Sequence, residues 1–517
     1  QAGQNVTTGG SSVYIGDNAG RTITDAGANV MVGHQAGYPL GSSASSNVIV
    51  GANAAVAGGA STNNSVLIGK ESGYSTAGTS QVGVGRQTLY FPEGNYNTAV
   101  GDQAMHGNTS VTTAHENVAI GRQSLFSIQD GDNNTAVGYQ SGKNITSGRE
   151  NTIVGYLAGE DLTTGNFNTI MGYRALGQGT TAGRHVAIGY SAMQEFIQGD
   201  TRNTAVGMYA MFQPRSGSNN VAVGYEAMRG HNSVYDGDFN TVVGSTAMYS
   251  AQGGDNNTIV GYEAGYGVTT GGDNVLIGYE AGYTQSTASA ATLVGYKAGT
   301  NNTANSIVAL GKNAGFSQSS AANNTFIGFS AGHTTSTAGS NVFVGYQAGY
   351  PLNTTHNVVI GNNAIANGLN TSDSLVVIGS EAAYNGGGGS VVAIGKQSLY
   401  RPRGNYNVGI GEQAMYGDSS VTTAQLNVAV GRQALFAAQS AQYNVALGYQ
   451  AARNTTTGYS NTSVGYWTSY SMTTGAGNTH LGNQAGFSGS THNNTTFIGN
   501  AAGLKNTSND NVAIGAE

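Results

Sequence analysis

Short apolar segments recur along the whole chain at a nearly constant interval. Clear examples are residues 117–121 (Asn-Val-Ala-Ile-Gly), 134–138 (Asn-Thr-Ala-Val-Gly), 151–155 (Asn-Thr-Ile-Val-Gly) and 168–172 (Asn-Thr-Ile-Met-Gly). With each such glycine taken as position 0, the chain has 30 anchors between Gly16 and Gly515. They are spaced 16 to 18 residues apart, with three gaps of 20. A fixed period of this length indicates stacked structural repeats.

The positions around each anchor are restricted to a few residue types. Position −1 is Ile, Val, Leu or Met and position −3 is Val or Thr in all 30 repeats, while position −4 is Asn in 21. Position +3 is Ala, Ser or Thr wherever it exists. Positions −3 and −1 share one face of a strand, so the pattern predicts a short strand that packs this face inward. Gly at position 0 is expected to end the strand at a bend, and stacked Asn side chains to hydrogen-bond between neighbouring repeats.

The residues predicted to build the repeat core share these columns. They are Val118, Ile120, Gly121, Asn134, Thr135, Val137, Gly138, Asn151, Thr152, Val154, Gly155, Ala158, Ala264 and Ala281.

Parallel, in-register stacking explains why the same residue types return once per repeat, whereas hairpins or helices do not. The sequence therefore predicts an all-β fold, a parallel β-solenoid (β-roll) of about 30 coils with about 17 residues per coil. The prediction is a single continuous array over residues 1–517, an elongated rod on the order of 140 Å long at ~4.8 Å per coil.

Aromatic residues recur at two further positions. Those at +1 include Tyr139, Tyr156, Tyr262, Tyr279 and Tyr296, and those at +5 include Tyr38, Tyr74, Phe126, Tyr283 and Tyr350. With the small +3 residues they could line an interface between chains, because so small a coil encloses little core. This favours a homo-oligomer, with a trimer preferred. The alternative is that the aromatic residues cover the outside of a monomeric solenoid.

A longer repeat lies above the short one. Residues 94–101 return at 404–411, residues 111–114 at 421–424 and residues 36–40 at 348–352, and Pro92 is matched by Pro402. The offset of 310 to 312 residues relates residues 1–205 to residues 313–517, an internal duplication with a period of 18 coils. Neither end carries a polar cap, so we expect an interior stretch of a longer array or a subunit that polymerises head to tail.

Composition narrows the possible functions. Only 9% of the residues are charged, the net charge is −7 and Cys is absent. The acidic balance argues against a nucleic-acid partner, and no apolar run approaches the ~18 residues that membrane insertion needs. Without Cys there are no disulfides and no thiolate metal sites.

Residues with catalytic or metal-binding chemistry are scattered. Nine histidines, expected at the surface, share no close ligand spacing: His34, His106, His115, His185, His231, His333, His356, His480 and His492. Glu263 and Glu280 occupy position +2 of consecutive repeats, and Asp130 and Asp132 resemble a fragment of a calcium loop. Gly386 to Gly389 follow no phosphate-loop pattern. A solvated polar ladder at +2 is the better interpretation than a carboxylate pair, so we expect no catalytic, cofactor or metal site and no enzymatic activity.

Residues 117–124 resemble the head repeats of trimeric autotransporter adhesins, and residues 134–141 (Asn-Thr-Ala-Val-Gly-Tyr-Gln-Ser) look still more like the arrays of phage tail fibres. The resemblance covers the whole chain. In the adhesin heads it implies a trimeric, left-handed parallel β-roll with a shorter repeat of about fourteen residues. The period of this chain departs from that value.

These observations favour a non-enzymatic structural fibre shaft or adhesin, outside the cell on a virion tail or microbial surface. The loops between +5 and −5 are rich in Ser, Thr, Asn and Gly, and could bind a cell-surface glycan or receptor. A self-assembling extracellular filament is one alternative and an ice-binding solenoid another, although the latter needs an exposed Thr array and the −3 column is expected to face inward. A polysaccharide-degrading tailspike would need clustered carboxylates in a groove.

Overall fold

The structure is a computed structural model of the chain. It describes residues 1–517 except 9, 26, 57–61, 76, 92, 109–112, 197–198, 200, 214–215, 231–234, 368–372, 387 and 418–422. Outside the described residues lie Pro92, His231, Gly387, and residues 111–112 and 421–422 of the duplicated segments.

The chain divides into two compact units, Gln1–Tyr262 and Glu263–Glu517. The strands of the first unit are β1 (Val13–Ile15), β2 (Val30–Val32), β3 (Val48–Val50), β4 (Val66–Ile68), β5 (Val82–Val84), β6 (Thr98–Val100), β7 (Val118–Ile120), β8 (Thr135–Val137), β9 (Thr152–Val154), β10 (Thr169–Met171), β11 (Val186–Ile188), β12 (Thr204–Val206), β13 (Val221–Val223), β14 (Thr241–Val243) and β15 (Thr258–Val260). Those of the second unit are β16 (Val275–Ile277), β17 (Thr292–Val294), β18 (Val308–Leu310), β19 (Thr325–Ile327), β20 (Val342–Val344), β21 (Val358–Ile360), β22 (Val376–Ile378), β23 (Val392–Ile394), β24 (Val408–Ile410), β25 (Val428–Val430), β26 (Val445–Leu447), β27 (Thr462–Val464), β28 (Thr479–Leu481), β29 (Thr496–Ile498) and β30 (Val512–Ile514).

Within each unit, every strand pairs in parallel with the strand of the next coil. The register joins identical positions, as in Thr135 with Thr152 in the first unit and Val428 with Val445 in the second. This confirms an all-β parallel solenoid with about 17 residues per turn. The described residues contain no helix, and hence none that is long and apolar enough to cross a membrane.

The structure reverses the expected faces of the strands. The middle residue, at position −2, is buried in β2–β15 and β16–β29, whereas positions −3 and −1 lie at least partly in solvent in every strand. The predicted core residues Val118, Ile120, Thr135, Val137, Thr152 and Val154 therefore face outward. The prediction failed because the alternation of side chains along a strand puts positions −3 and −1 on one face but does not tell which face is buried when position −2 is also apolar. A thin coil admits one side chain from a three-residue strand, and position −2 supplies it.

Glycine at position 0 turns the chain at the end of each strand, as predicted. Gly138 has a φ of 139°, and a Cβ there would lie 2.3 Å from the carbonyl oxygen of Gly155 in the next coil. Side chains are excluded both by the backbone conformation and by the neighbouring coil. Within this close stack, the interior is filled by positions −4, −2, +3 and +4 and by residues at +7, such as Ile128, Ile145 and Leu162.

Positions −2 and +4 of a coil share one space in the interior. Phe326 at −2 faces Gly332 at +4, and a Cβ on Gly332 would lie 2.4 Å from the Phe326 ring. In another coil of the same unit the sizes are exchanged, because Ala429 at −2 is paired with Leu435 at +4. All four residues but Gly332 are fully buried hydrophobic side chains. In these two coils the larger residue moves between the two positions while the interior stays filled. Other coils do not follow this exchange, since Ile170 and Leu176 are both large and Ala136 and Gly142 are both small.

Candidate functional site

An apolar face runs along the outside of each unit. It consists of the −3 column of Val or Thr and the −1 column of Val, Ile, Leu or Met, and we call it the outward face. The +1 column beside it holds Tyr in some coils and charged residues in others, such as Arg86 and Asp102. Ile120 is 40% exposed and Met171 41%, and both stand at position −1 of their strands. Exposed apolar side chains that recur in every coil make this face the candidate site of interaction.

The tyrosines at +1 border the outward face and stack along the solenoid. The ring centroids of Tyr139 and Tyr156 lie 4.9 Å apart at an interplanar angle of 13°, and those of Tyr279 and Tyr296 lie 5.0 Å apart at 9°. Tyr262 is exposed to a similar degree. Because each stacked ring covers its neighbour's face, these ladders present mainly ring edges to a partner.

The aromatic residues at +5 form separate stacks. In the first unit Tyr74, Tyr90, His106 and Phe126 follow one another with centroid distances of 4.8, 4.8 and 5.0 Å. In the second unit His333 stacks on Tyr350 at 4.9 Å and Tyr266 on Tyr283 at 5.1 Å. The guanidinium of Arg21 lies 5.8 Å from the ring centroid of Tyr38.

The small residues at +3 do not reach the outward face. Ala158, Ala264 and Ala281 are fully buried inside their own coils. The expectation that this column lines an interface between chains is therefore wrong. Their small side chains fill the interior of the coil instead.

The asparagines at −4 form the predicted ladder, and it is buried. Asn134 Nδ2 donates to Asn117 Oδ1 at 3.1 Å and to the Gly148 carbonyl oxygen at 2.8 Å. Asn134 Oδ1 accepts from Asn151 through the backbone N–H at 3.1 Å and through Nδ2 at 2.9 Å. Each amide therefore satisfies buried backbone groups of the neighbouring coils, which makes the ladder structural.

A second amide ladder stands at +2. In the first unit Gln87 Nε2 donates to Glu71 Oε2 at 2.8 Å, and Gln103 Nε2 continues to Gln87 Oε1 at 3.1 Å. The second unit repeats this from Glu381 and Gln397, and there the indole N–H of Trp467 donates to Gln450 Oε1 at 2.7 Å. These contacts agree with a polar ladder at this position.

The carboxylates at +2 are held by neighbouring groups. Lys297 Nζ lies 3.2 Å from Glu280 Oε2. The hydrogen bond from the Tyr279 hydroxyl to the Glu280 carboxylate raises the pKa of Tyr279 to about 12. Glu280 is thus engaged by groups on its own coil and on the next one.

The calcium-loop fragment also has structural partners. Asp132 Oδ1 accepts from the His115 backbone N–H at 2.9 Å, and Asp132 Oδ2 lies 3.7 Å from Arg149 Nε. Asp130 Oδ1 accepts from the Thr113 hydroxyl at 3.2 Å. Within the part of the chain that the structure describes, no group of three or more His, Asp or Glu side chains could hold a metal ion.

Three histidines are buried, contrary to the expectation of surface positions: His185, His480 and His492. His480 takes the inward position −2 of β28, and its burial, with a smaller effect from His492, lowers its pKa to about 3. Thr495 Oγ1 donates to Asn478 Oδ1 at 2.6 Å, so it accepts from His480 Nε2 at 2.9 Å. His480 Nδ1 then accepts from Ser469 at 2.7 Å. A neutral imidazole fits this chain of hydrogen bonds in the core.

Comparison with known proteins adds no family: no protein-family model matches the chain, and none of the curated proteins has a matching sequence. Two features were not predicted from the sequence: the exposure of the outward face, and the exchange of the larger side chain between positions −2 and +4. The second had a visible signal, since glycine at +4 often accompanies a large residue at −2, as with Phe343 and Gly349 or Phe497 and Gly503.

Proposed function

We propose that the protein is a non-enzymatic structural shaft, part of an extracellular fibre on a virion tail or a microbial surface. In this proposal the outward faces of three copies pack against one another. The observation that carries it is the outward face itself, a column of Val or Thr beside a column of Val, Ile, Leu or Met that repeats in every strand of each unit and remains partly exposed in a single chain. Burying it would gain roughly 25 cal/mol per Å² of apolar surface.

A second copy of the chain is the partner that fits this face. The outward columns repeat once per coil, so a partner that follows them along a unit needs the same repeat. Another copy supplies that spacing together with the same Val, Thr, Ile and Tyr side chains. The number of three rests on the resemblance of residues 117–124 and 134–141 to trimeric fibre repeats.

The test is the oligomeric state of the 517-residue chain by light scattering and electron microscopy. We expect trimers. Ile120→Lys together with Met171→Lys should give monomers with unchanged β content by circular dichroism, because both side chains point outward. Glu116→Lys, an exposed position of another column, serves as the control and should remain trimeric.

Other outcomes would decide between alternatives. A monomeric wild-type chain would refute association through the outward face, and filaments that lengthen with concentration would favour the self-assembling filament.

One finding supports the ice-binding alternative: Thr152 at position −3 faces the solvent, whereas the sequence led us to expect this column inside. The Thr column is nevertheless interrupted by Val, with at most three threonines in consecutive coils, as in Thr135, Thr152 and Thr169. Thermal hysteresis of a freezing solution measures this activity directly.

A further inference from the structure

The two copies of the internal duplication differ on one flank of the coil. We call positions −6 and −5 the loop flank. Residues of the first copy and their counterparts 310 residues later are Glu116 and Leu426, Asn133 and Tyr443, Arg149 and Tyr459, Glu150 and Ser460. Charged and polar groups of the first copy are thus replaced by uncharged and mostly apolar ones in the second.

Around Arg149 the loop flank of the first copy is charged and solvated, whereas Tyr96 and Phe167 expose aromatic rings elsewhere on it. Arg149 lies 3.7 Å from Asp132 in an ion pair at the surface. Exposed ion pairs of this kind contribute little and need no partner.

The second copy presents two aromatic rings on a fixed backbone. Tyr443 and Tyr459 are each 57% exposed. The backbone beneath them is held by parallel bridges from Gln425 to Gln442, from Gln442 to Tyr459 and from Tyr459 to Ala476. Neither ring stacks on another aromatic ring among the described residues, in contrast to the ladders at +1 and +5. Their faces are therefore available to a ligand.

A groove lies beside Tyr459. It encloses about 370 Å³ and is lined by Tyr459, Ser460, Thr474, Gly477, Asn493 and Asn494, besides Ala476. Gly477 leaves space next to the tyrosine, and Asn493 is held at the groove because its Oδ1 accepts from the Ala476 backbone N–H at 2.8 Å. None of the lining side chains is charged. The groove thus combines one aromatic wall with amide and hydroxyl groups.

The equivalent place in the first copy is partly filled. There Phe167 replaces Gly477, and the guanidinium of Arg184, which replaces Asn494, lies 5.6 Å from the Phe167 ring centroid. The depression at Phe167 encloses only about 90 Å³. The larger, uncharged groove is therefore specific to the second copy.

We propose that the Tyr459 groove binds a neutral carbohydrate. The apolar C–H face of a pyranose ring would stack on Tyr459, and its hydroxyl groups would hydrogen-bond to Ser460, Thr474, Asn493 and Asn494. A sugar is favoured over a protein segment because Ser, Thr and Asn side chains make up most of the groove's lining, which offers little apolar area to a protein partner. An uncharged lining suits a ligand without carboxylate or phosphate groups.

This inference goes beyond the shaft function and holds for a single chain. If three chains associate, the same groove occurs three times and weak binding gains avidity. The tests can be separated, because light scattering reports the association of chains while titration reports the groove.

The experiment titrates the 517-residue chain with maltohexaose, cellohexaose and chitohexaose by isothermal titration calorimetry. We expect at least one of them to bind with a Kd of about 1 mM or tighter. Tyr459→Ala should weaken that binding at least tenfold, whereas Tyr459→Phe should retain it, because the ring and not the hydroxyl makes the stacking contact. Tyr406→Ala removes an equally exposed ring that lies away from the groove, and should leave the affinity unchanged.

Three results would overturn the proposal. They are no heat with any of the three oligosaccharides, equal affinity of the wild type and Tyr459→Ala, and equal losses in Tyr459→Ala and Tyr406→Ala. A change from trimer to monomer in Tyr459→Ala would assign the flank to an interface between copies instead, which also refutes a sugar site. Since Tyr459 is mostly exposed, its replacement should not unfold the coil, and circular dichroism checks this.

Discussion

Exchanging the large residue between positions −2 and +4 is the sharpest test of how the coils are filled. Phe326 is fully buried, and its ring occupies the space that side chains on Gly332 and on Gly315 of the preceding coil would need. Ala429 and Leu435 fill the same two positions in another coil with the sizes reversed. Leu435 has a φ of 52° and Gly332 one of 59°, so the two backbones agree. We therefore expect Phe326→Ala with Gly332→Leu to rebuild a filled coil.

The magnitudes follow from burial. Phe326→Ala alone should cost about 3–5 kcal/mol, since a buried aromatic ring is lost and a cavity remains. Gly332→Leu alone should cost about 1–3 kcal/mol, because the new side chain meets the Phe326 ring. In the double variant the leucine fills the cavity, and the remaining cost is about 1–2 kcal/mol for a leucine in the left-handed conformation. The double variant should thus cost about 4–5 kcal/mol less than the two single losses combined, which is the favourable coupling between the two positions.

Hydrogen exchange measured by mass spectrometry on the whole chain is the suitable assay, because a repeat array need not unfold in one step. In peptides that span residues 320–345, Phe326→Ala should speed exchange by about two to four orders of magnitude. The double variant should recover most of that protection. Peptides from residues 435–470 of the same unit provide an internal control and should exchange as in the wild type.

The reasoning is refuted if the double variant exchanges as fast as Phe326→Ala, or faster. Additive losses would mean that the two positions fill separate spaces and that their inverse sizes in the sequence are a coincidence. Wild-type protection in Gly332→Leu would contradict it as well, since the ring would then have room to move aside.

Three further predictions concern the buried ladder, the turn and the histidine in the core. Asn134→Ala should lower the free energy of unfolding by about 2–4 kcal/mol, because it removes four hydrogen bonds and leaves the Asn151 N–H unsatisfied. Chemical denaturation monitored by hydrogen exchange measures this loss. An unchanged stability would contradict the structural role of the ladder. Gly138→Ala should lower the free energy of unfolding by about 3 kcal/mol or more. The added Cβ would collide with the Gly155 carbonyl oxygen, and the backbone there has a positive φ that other residues avoid. A lower melting temperature of the same chain would report this loss. Burial lowers the pKa of His480 to about 3, so between about pH 6.5 and 3 the unfolded chain binds a proton at this residue and the folded chain does not. The stability of the fold should therefore fall as the pH decreases through this window. In acid-denaturation curves, His480→Phe should weaken that dependence.

Much of the fold could be predicted from the sequence because the repeat is strict. The anchor glycine gave the period, Thr or Val at −3 placed the start of each strand, and the asparagine column predicted hydrogen bonds between coils. Each of these follows from local chemistry that is the same in every coil. The structure confirms the register in detail, as in the pairing of Thr135 with Thr152.

The direction of the strand faces could not be predicted in the same way. A three-residue strand offers one residue to one side and two to the other, and all three positions are apolar in segments such as Val30–Val32 or Val275–Ile277. Only the size of the coil decides the matter, and that size depends on how the loops return to the strand. The groove at Tyr459 was hidden for a related reason, since the exposed ring and Gly477 belong to different coils and meet only once these are stacked.

The strictness of the columns bears on the proposed association of chains. The inward position −2 accepts residues from Gly83 and Ala119 to Phe326 and His480, because position +4 adjusts to them. The outward position −3 accepts only Val or Thr in 30 coils, and position −1 only four apolar residue types. On a monomer the surface is the freer side of a strand, because water tolerates many side chains. A surface column that is more restricted than the core column beside it is expected where that surface is itself packed. Since the restriction repeats in every coil, the packing partner must repeat with the same period, and a second copy of this chain has that property.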